Sequence, residues 1–203
     1  MAYPTVSGPY GFQPINLIGG QVFAGATRQI PIDSGSGTSI YYGDVVRLNT
    51  NGTLSRVSTT DSATDAVGVF LGCAFTNPTT KQFLQQQYFP GGTVASDIVA
   101  YVCDDPDTYF KVAVLSNSTT IGGMTQTDVG NNVAILVTAG STTTGDSKEG
   151  VSATTGSATT LPFRVIAGVP ETVNASGSFT EVIVKFNFGV HTYYSAAAVA
   201  TAA

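Results

Sequence analysis

Tyr41–Phe75 reads YYGDVVRLNTNGTLSRVSTTDSATDAVGVFLGCAF, and this stretch decides the fold class. Gly43 and Asp44 open a short apolar run, Val45-Val46-Arg47-Leu48. Asn51-Gly52 follows, a pair that tolerates positive φ at both central positions of a tight turn and so predicts a hairpin. Leu54 and Val57 fall on the returning strand. A polar loop of Ser, Thr and Asp then leads into Ala66–Phe75, a continuous apolar run. Strands buried on both faces read this way. A hairpin feeding a buried strand predicts a small β-barrel or β-sandwich. The stretch holds no nucleophile motif, metal-ligand cluster or phosphate loop.

Composition extends that reading to the whole chain. Charged residues make up 10% of the 203 positions and hydrophobic ones 42%, with 23 glycines. Ordinary soluble domains carry roughly 25% charge. So few charges cannot line long helices with i,i+4 ion pairs, whereas short strands joined by turns need none. The low charge also suits a surface covered in an assembly, or simply a Thr/Ser-rich β-protein surface. Net charge is −5 and the eight Lys and Arg are scattered singly, which argues against direct nucleic-acid binding. No apolar stretch approaches the roughly 20 residues that span a bilayer as a helix. The start, MAYPTVSGPYGF, lacks the basic and apolar regions of a secretory signal, so synthesis in the cytoplasm is expected. Cys73 and Cys103 each sit inside an apolar run. They read as small buried hydrophobes, with a disulfide as the alternative.

Residues 1–20 carry prolines at 4, 9 and 14 among Tyr3, Tyr10, Phe12, Ile15, Leu17 and Ile18. Proline forbids a regular helix here, and the segment is too apolar for a solvated tail. It is expected to be an extended arm, packed on another chain or on its own domain. Tyr3, Tyr10, Phe12, Ile15, Leu17 and Ile18 are the candidate partner-binding residues. The β domain is expected over 21–190, and a small-residue tail over 191–203. Within the domain, strands are expected near 21–32, 81–90, 93–103, 109–115, 133–137, 161–167 and 180–188. The Asp104-Asp105-Pro106-Asp107 turn makes 109–115 the returning strand of 93–103. Residues 138–160 are nearly all small and polar, which reads as a long exposed loop or a β-excursion of weak register.

The chemical candidates are thin. Asp104, Asp105 and Asp107 lack the spacing and terminal Glu of a calcium loop. His191 is the only histidine, and no Gly-x-Ser-x-Gly elbow accompanies it. Gly35-Ser36-Gly37 lacks the strand, helix and third glycine of a dinucleotide motif. Gln85-Gln86-Gln87 suggests no mechanism. No catalytic residue, metal ligand or cofactor-binding residue is therefore assigned, and no enzyme is expected.

The combination GDVVRL, NGTLSRV and AVGVFLGCAF over 43–75, followed by DIVAYVCDDPDTYFKVAV over 97–114, resembles virion structural proteins of tailed bacteriophages, cyanophages among them. The first segment is similar to small β-barrel head-decoration, or cement, proteins. The resemblance implies an all-β domain that binds the outer head surface and stabilises the shell by bridging capsomers. Its partners would be the major capsid protein and sister copies in a homo-oligomer, with no nucleic acid and no membrane. It places the protein on the virion surface after synthesis in the host cytoplasm. A phage fibre or host-recognition module binding a surface glycan is the alternative, with Tyr41-Tyr42 and Tyr193-Tyr194 as its aromatic candidates.

Overall fold

The structure is a computed structural model that describes residues 6–17, 20–58 and 66–187. It is all-β, 45% strand and 3% helical, with a closed five-stranded barrel and a second sheet. In chain order the described strands are β1 (Gln13–Leu17), β2 (Arg28–Pro31), β3 (Val45–Leu48), β4 (Leu54–Arg56), β5 (Ala66–Thr76) and β6 (Phe83–Gln86). They continue as β7 (Val99–Cys103), β8 (Thr108–Leu115), β9 (Asn132–Leu136), β10 (Gly150–Gly156), β11 (Phe163–Gly168) and β12 (Glu181–Phe186).

The barrel runs β8-β10-β9-β11-β12 and closes by pairing β12 with β8, Val182 opposite Val112 and Val184 opposite Phe110. Its one parallel pairing sets Val151 and Ser152 of β10 beside Val114 and Leu115 of β8. β1 pairs antiparallel with the other half of β8, Gln13 opposite Lys111. The second sheet runs β2-β7-β5-β3-β4, with β6 on β5 beyond β3.

The 41–75 stretch folds largely as its pattern predicts. β3 and β4 form the hairpin, Leu48 opposite Leu54. The turn differs in type. Gly52 has φ +80 while Asn51 does not have positive φ, and Gly52 N–H donates to Asn49 O at 2.9 Å. This is a type I turn followed by a left-handed glycine, a three-residue loop rather than a two-residue one. β5 is buried along nearly its whole length. It feeds two cores. Ala66 and Val69 belong to a core shared with the barrel's Phe110, Val112 and Val151, whereas Val67, Phe70, Cys73 and Phe75 pack with Ile30, Ile40, Leu54 and Phe89 under the second sheet. Bulges make this possible. Val67 is the extra residue against β3 and Leu71 the extra residue against β7. Each bulge resets which face the following side chains occupy.

Two further expectations are corrected, and one left open is decided. Strand β7 begins at Val99, not at 93, because residues 93–98 turn back on β5, with the Asp97 carboxylate accepting from Thr76 N–H at 3.1 Å. The Asp104–Asp107 turn closes no hairpin. β7 pairs with β2 and β5, and β8 pairs with β1, β10 and β12, so the turn carries the chain from the second sheet into the barrel. Of the two forms expected for the 138–160 tract, a long exposed loop or a β-excursion, the structure has the second: Gly150–Gly156 is β10, a stave of the barrel with a register shift against β9.

Gly11 and Gly43 lock the arm to this framework. Their φ values are +82 and +89, and Phe12 N–H donates to Gly43 O at 2.9 Å. A Cβ on Gly11 would stand 2.6 Å from Ser147 Cβ, and one on Gly43 would stand 3.0 Å from Phe12 N. Only glycine offers both the left-handed conformation and that closeness.

Candidate functional site

The six arm residues singled out in the sequence do not form one surface. Tyr3 and Ile18 lie outside the described residues. Phe12 is fully buried in the chain's own core and stacks on Phe163 with ring centroids 4.6 Å apart. It therefore offers no surface to a second chain. The physical reason is the Gly11–Gly43 clasp just described, which turns the segment inward before β1 starts. Tyr10 is half-buried. Its hydroxyl donates to Glu181 Oε1, and Lys111 Nζ stands 5.6 Å over its ring and 3.7 Å from the same carboxylate oxygen. Burial, then the Glu181 hydrogen bond and charge, push the Tyr10 phenol well above its ordinary range. Ile15 is half-buried on β1, and Leu17 ends that strand.

The strongest electrostatic feature is a buried cluster between the two sheets. Arg56 Nε lies 3.0 Å from Glu149 Oε1 and 3.0 Å from Asp44 Oδ2. Arg56 also donates through Nη2 to Thr138 O. Glu149 Oε2 accepts from Val45 N–H at 2.8 Å, and Asp44 Oδ2 from Tyr41 N–H at 2.8 Å. Asp44 and Glu149 are fully buried. Burial raises both carboxyl groups, Glu149 the more strongly because Asp44 stands beside it, and the Arg56 charge opposes the rise in each. Nothing in the sequence pattern marked this cluster. The one available signal was Glu149 abutting Gly150-Val151 in a tract otherwise almost free of acids. The cluster acts as a clamp between sheets, since it ties Asp44 and Arg56 at either end of the β3–β4 hairpin to Glu149, the residue before β10 of the barrel.

The exposed apolar residues lie elsewhere. Among the described residues, Val22, Phe83 and Val94 are the large hydrophobic side chains most open to solvent. Phe83 and Val94 flank the end of β5. Phe83 pairs with Thr76 across the sheet, and Val94 shares a surface depression of about 610 Å³ with Thr76, Pro78, Lys81 and Asp97. The Thr76 hydroxyl donates to Asp97 Oδ2 at 2.6 Å, and these bonds hold the Asp97 carboxyl below its usual range.

The remaining candidates separate. Asp105 and Asp107 shape the crossover turn, Asp107 N–H donating to Asp105 Oδ1 at 2.8 Å. Lys185 Nζ pairs with Asp107 at 3.1 Å, and Arg28 with Asp104 at 3.3 Å. Cys73 and Cys103 are free thiols in different cores, not a disulfide. Tyr41 is buried and stacks on Tyr88 at 5.7 Å. His191, Tyr193 and Tyr194 lie outside the described residues. Among the described residues no group of three His, Cys, Asp or Glu side chains is placed to hold a metal ion, and no helix is long and apolar enough to cross a membrane. Comparison of the chain with protein-family models, curated proteins and solved structures returned no match.

Proposed function

We propose that this chain is a capsid decoration protein of a tailed bacteriophage, which binds the outer head surface and stabilises the shell by bridging capsomers. The observation that supports this reading is where the phage-like segments fall. Residues 43–75 and 97–114 supply β3, β4, β5 and β7 of the second sheet and β8, the barrel strand that follows them. The sequence likeness thus falls mainly on the second sheet and on β8, where the chain enters the barrel. Partners are the major capsid protein and sister copies on the virion surface, and the task is mechanical, with no catalytic residue, cofactor or metal assigned.

The surface best suited to docking is the β5 end carrying Phe83 and Val94, since Phe12 is committed to the chain's own core. A stable contact of this kind needs roughly 1,000 Å² or more of buried area. Many copies on a symmetric shell make a weaker contact effective. The test is to separate virions that encode the chain into emptied heads and tails and to quantify it in each by mass spectrometry. Stoichiometric recovery with heads is expected. Recovery with tails alone, or with neither fraction, overturns the proposal.

A further inference from the structure

Closing the barrel leaves four strand edges open among the described residues, those of β1, β2, β4 and β6. An open edge presents unpaired N–H and C=O groups to any other strand, and proteins ordinarily block it with charge, proline or a bulge. The first three edges are blocked. β1 carries Pro14 and a register shift after it. β2 carries Arg28 and Pro31. β4 carries Arg56 and is bridged at Leu54 by Ile32. β6 has no such device. Phe83-Leu84-Gln85-Gln86 pairs with β5 alone, in unbroken register, and residues 82–89 hold neither charge nor proline.

The register also decides which groups face outward. Asn77 N–H donates to Gln82 O at 2.8 Å. Hydrogen-bonded and non-bonded pairs alternate along an antiparallel ladder, so Leu84 and Gln86 turn their backbone groups to β5. Phe83 and Gln85 turn theirs away from the sheet, and their side chains are exposed as well.

We propose that β6 pairs antiparallel with β6 of a second copy of this chain, joining the two second sheets across a two-fold axis. Phe83 then lies opposite Gln85 of the second copy, the two exchange both backbone bonds, and Leu84 faces its own counterpart on the axis. A charge close to the axis would meet its own copy, and the strand has none there. The same register sets Lys81 opposite Gln87 of the second copy. Within its own chain Gln87 Nε2 donates to Asp146 Oδ1 at 2.5 Å, so Lys81 approaches the Asp146 carboxylate of the second copy, twice across the axis. Neither Lys81 nor Asp146 has an ion pair among the described residues of its own chain. That charge complementarity favours a sister copy over an arbitrary strand. The dimer rests on the sister copies of the decoration reading and names the surface that joins them. Phe83 stays on a face of the joined sheet, so pairing gathers two of these side chains.

The paired segment is short and lacks the roughly 1,000 Å² of a contact stable on its own. Sedimentation of the purified full chain at rising concentration should show a monomer passing to a dimer with a dissociation constant of about 1 mM or tighter. Hydrogen exchange over the same series should slow at the Phe83 and Gln85 amides, which β5 leaves unpaired. Gln85→Pro removes an outward N–H without touching the β5 ladder, and should abolish the dimer with circular dichroism unchanged. Should that variant misfold, Lys81→Glu takes its place. It should weaken the dimer by about tenfold, since the lost pair occurs twice, and adding Asp146→Lys should restore it. A constant monomer mass overturns the proposal. So does a dimer that leaves both amides unprotected, or one that persists undiminished in the folded variants. No heads are present in these measurements, so their failure is separate from the recovery of the chain in head fractions.

Discussion

Arg56 holds two buried carboxylates with one guanidinium, so the cluster carries an excess negative charge in a place water does not reach. Hydrogen bonds from Ser147 and from the Tyr41 N–H offset only part of the cost of burying the Asp44 carboxylate. The native state therefore takes up protons more readily than the unfolded chain, because the folded pKa of each carboxyl is raised. The sign follows by linkage. Between the ordinary carboxylate range and the raised native values the folded state binds more protons, so this cluster's contribution to stability falls as pH rises. Asp97 and Asp128 act oppositely, since their pKa values are lowered and their contribution is lost as pH falls through the acid range. Glu149→Gln keeps an oxygen for Val45 N–H but cannot ionise. The variant should show a flatter decline of melting temperature from mildly acidic to alkaline pH than the parent; an equal decline would remove Glu149 from the account. Arg56→Met strands both carboxylates without their cation. Breaking a buried ion pair in this way costs about 3–5 kcal/mol. Urea unfolding should show that loss at neutral pH and a smaller one in mild acid, where proton uptake relieves the charge.

At the level of elements, the arm is where sequence and structure part most instructively. Prolines and scattered apolar residues predicted an extended segment, and Gln13–Leu17 is indeed a strand edge-paired to β8. Which chain would receive the apolar side chains was not legible. That depends on the Gly11–Gly43 clasp, a contact between residues 32 positions apart that no local pattern encodes. The β3–β4 hairpin and the buried β5 were legible because turn chemistry and apolar runs are local signals. The crossover at Asp104–Asp107 was not, since the same turn residues serve a hairpin or a jump between sheets. Phe12→Ala should cost about 3–5 kcal/mol in chemical denaturation, the usual range for deleting a buried Phe. Removing residues 2–17 should destabilise the barrel by at least as much, since β1 is lost as well. A truncated chain that melts like the full one would return the arm to the role of a free docking segment. Phe83→Ser and Val94→Ser, at exposed positions, should leave stability within about 0.5 kcal/mol. Both should weaken sedimentation with heads if the β5 end faces the shell.

For the molecule as a whole, the question is whether barrel and second sheet unfold together. β5 supplies Val69 to one core and Phe70 to the other, and the Arg56 cluster ties the β3–β4 hairpin to the residue preceding β10. Opening the second sheet would therefore uncover apolar surface on β5 and break buried charge contacts, which the barrel cannot survive intact. The two thiols report on this directly. Cys73 lies in the second-sheet core, and Cys103 in the core shared with the barrel. Burial pushes Cys73 up to about 12 and Cys103 up to about 11, the latter held back in part by the Thr108 hydroxyl. In the native protein both are protonated at neutral pH and enclosed, so both should resist an alkylating reagent, which attacks the thiolate. Unfolding restores an ordinary thiol with pKa near ~8.5. Pulsed alkylation across a urea series, read at each cysteine by peptide mass spectrometry, should give coincident midpoints that match loss of the β-sheet circular dichroism signal, as expected of one cooperative unit. If Cys73 reacts at clearly lower urea than Cys103, the second sheet opens alone and the coupling through β5 is weaker than its shared packing implies. Coincident midpoints in the parent that separate in Arg56→Met would assign the coupling to the buried cluster rather than to β5.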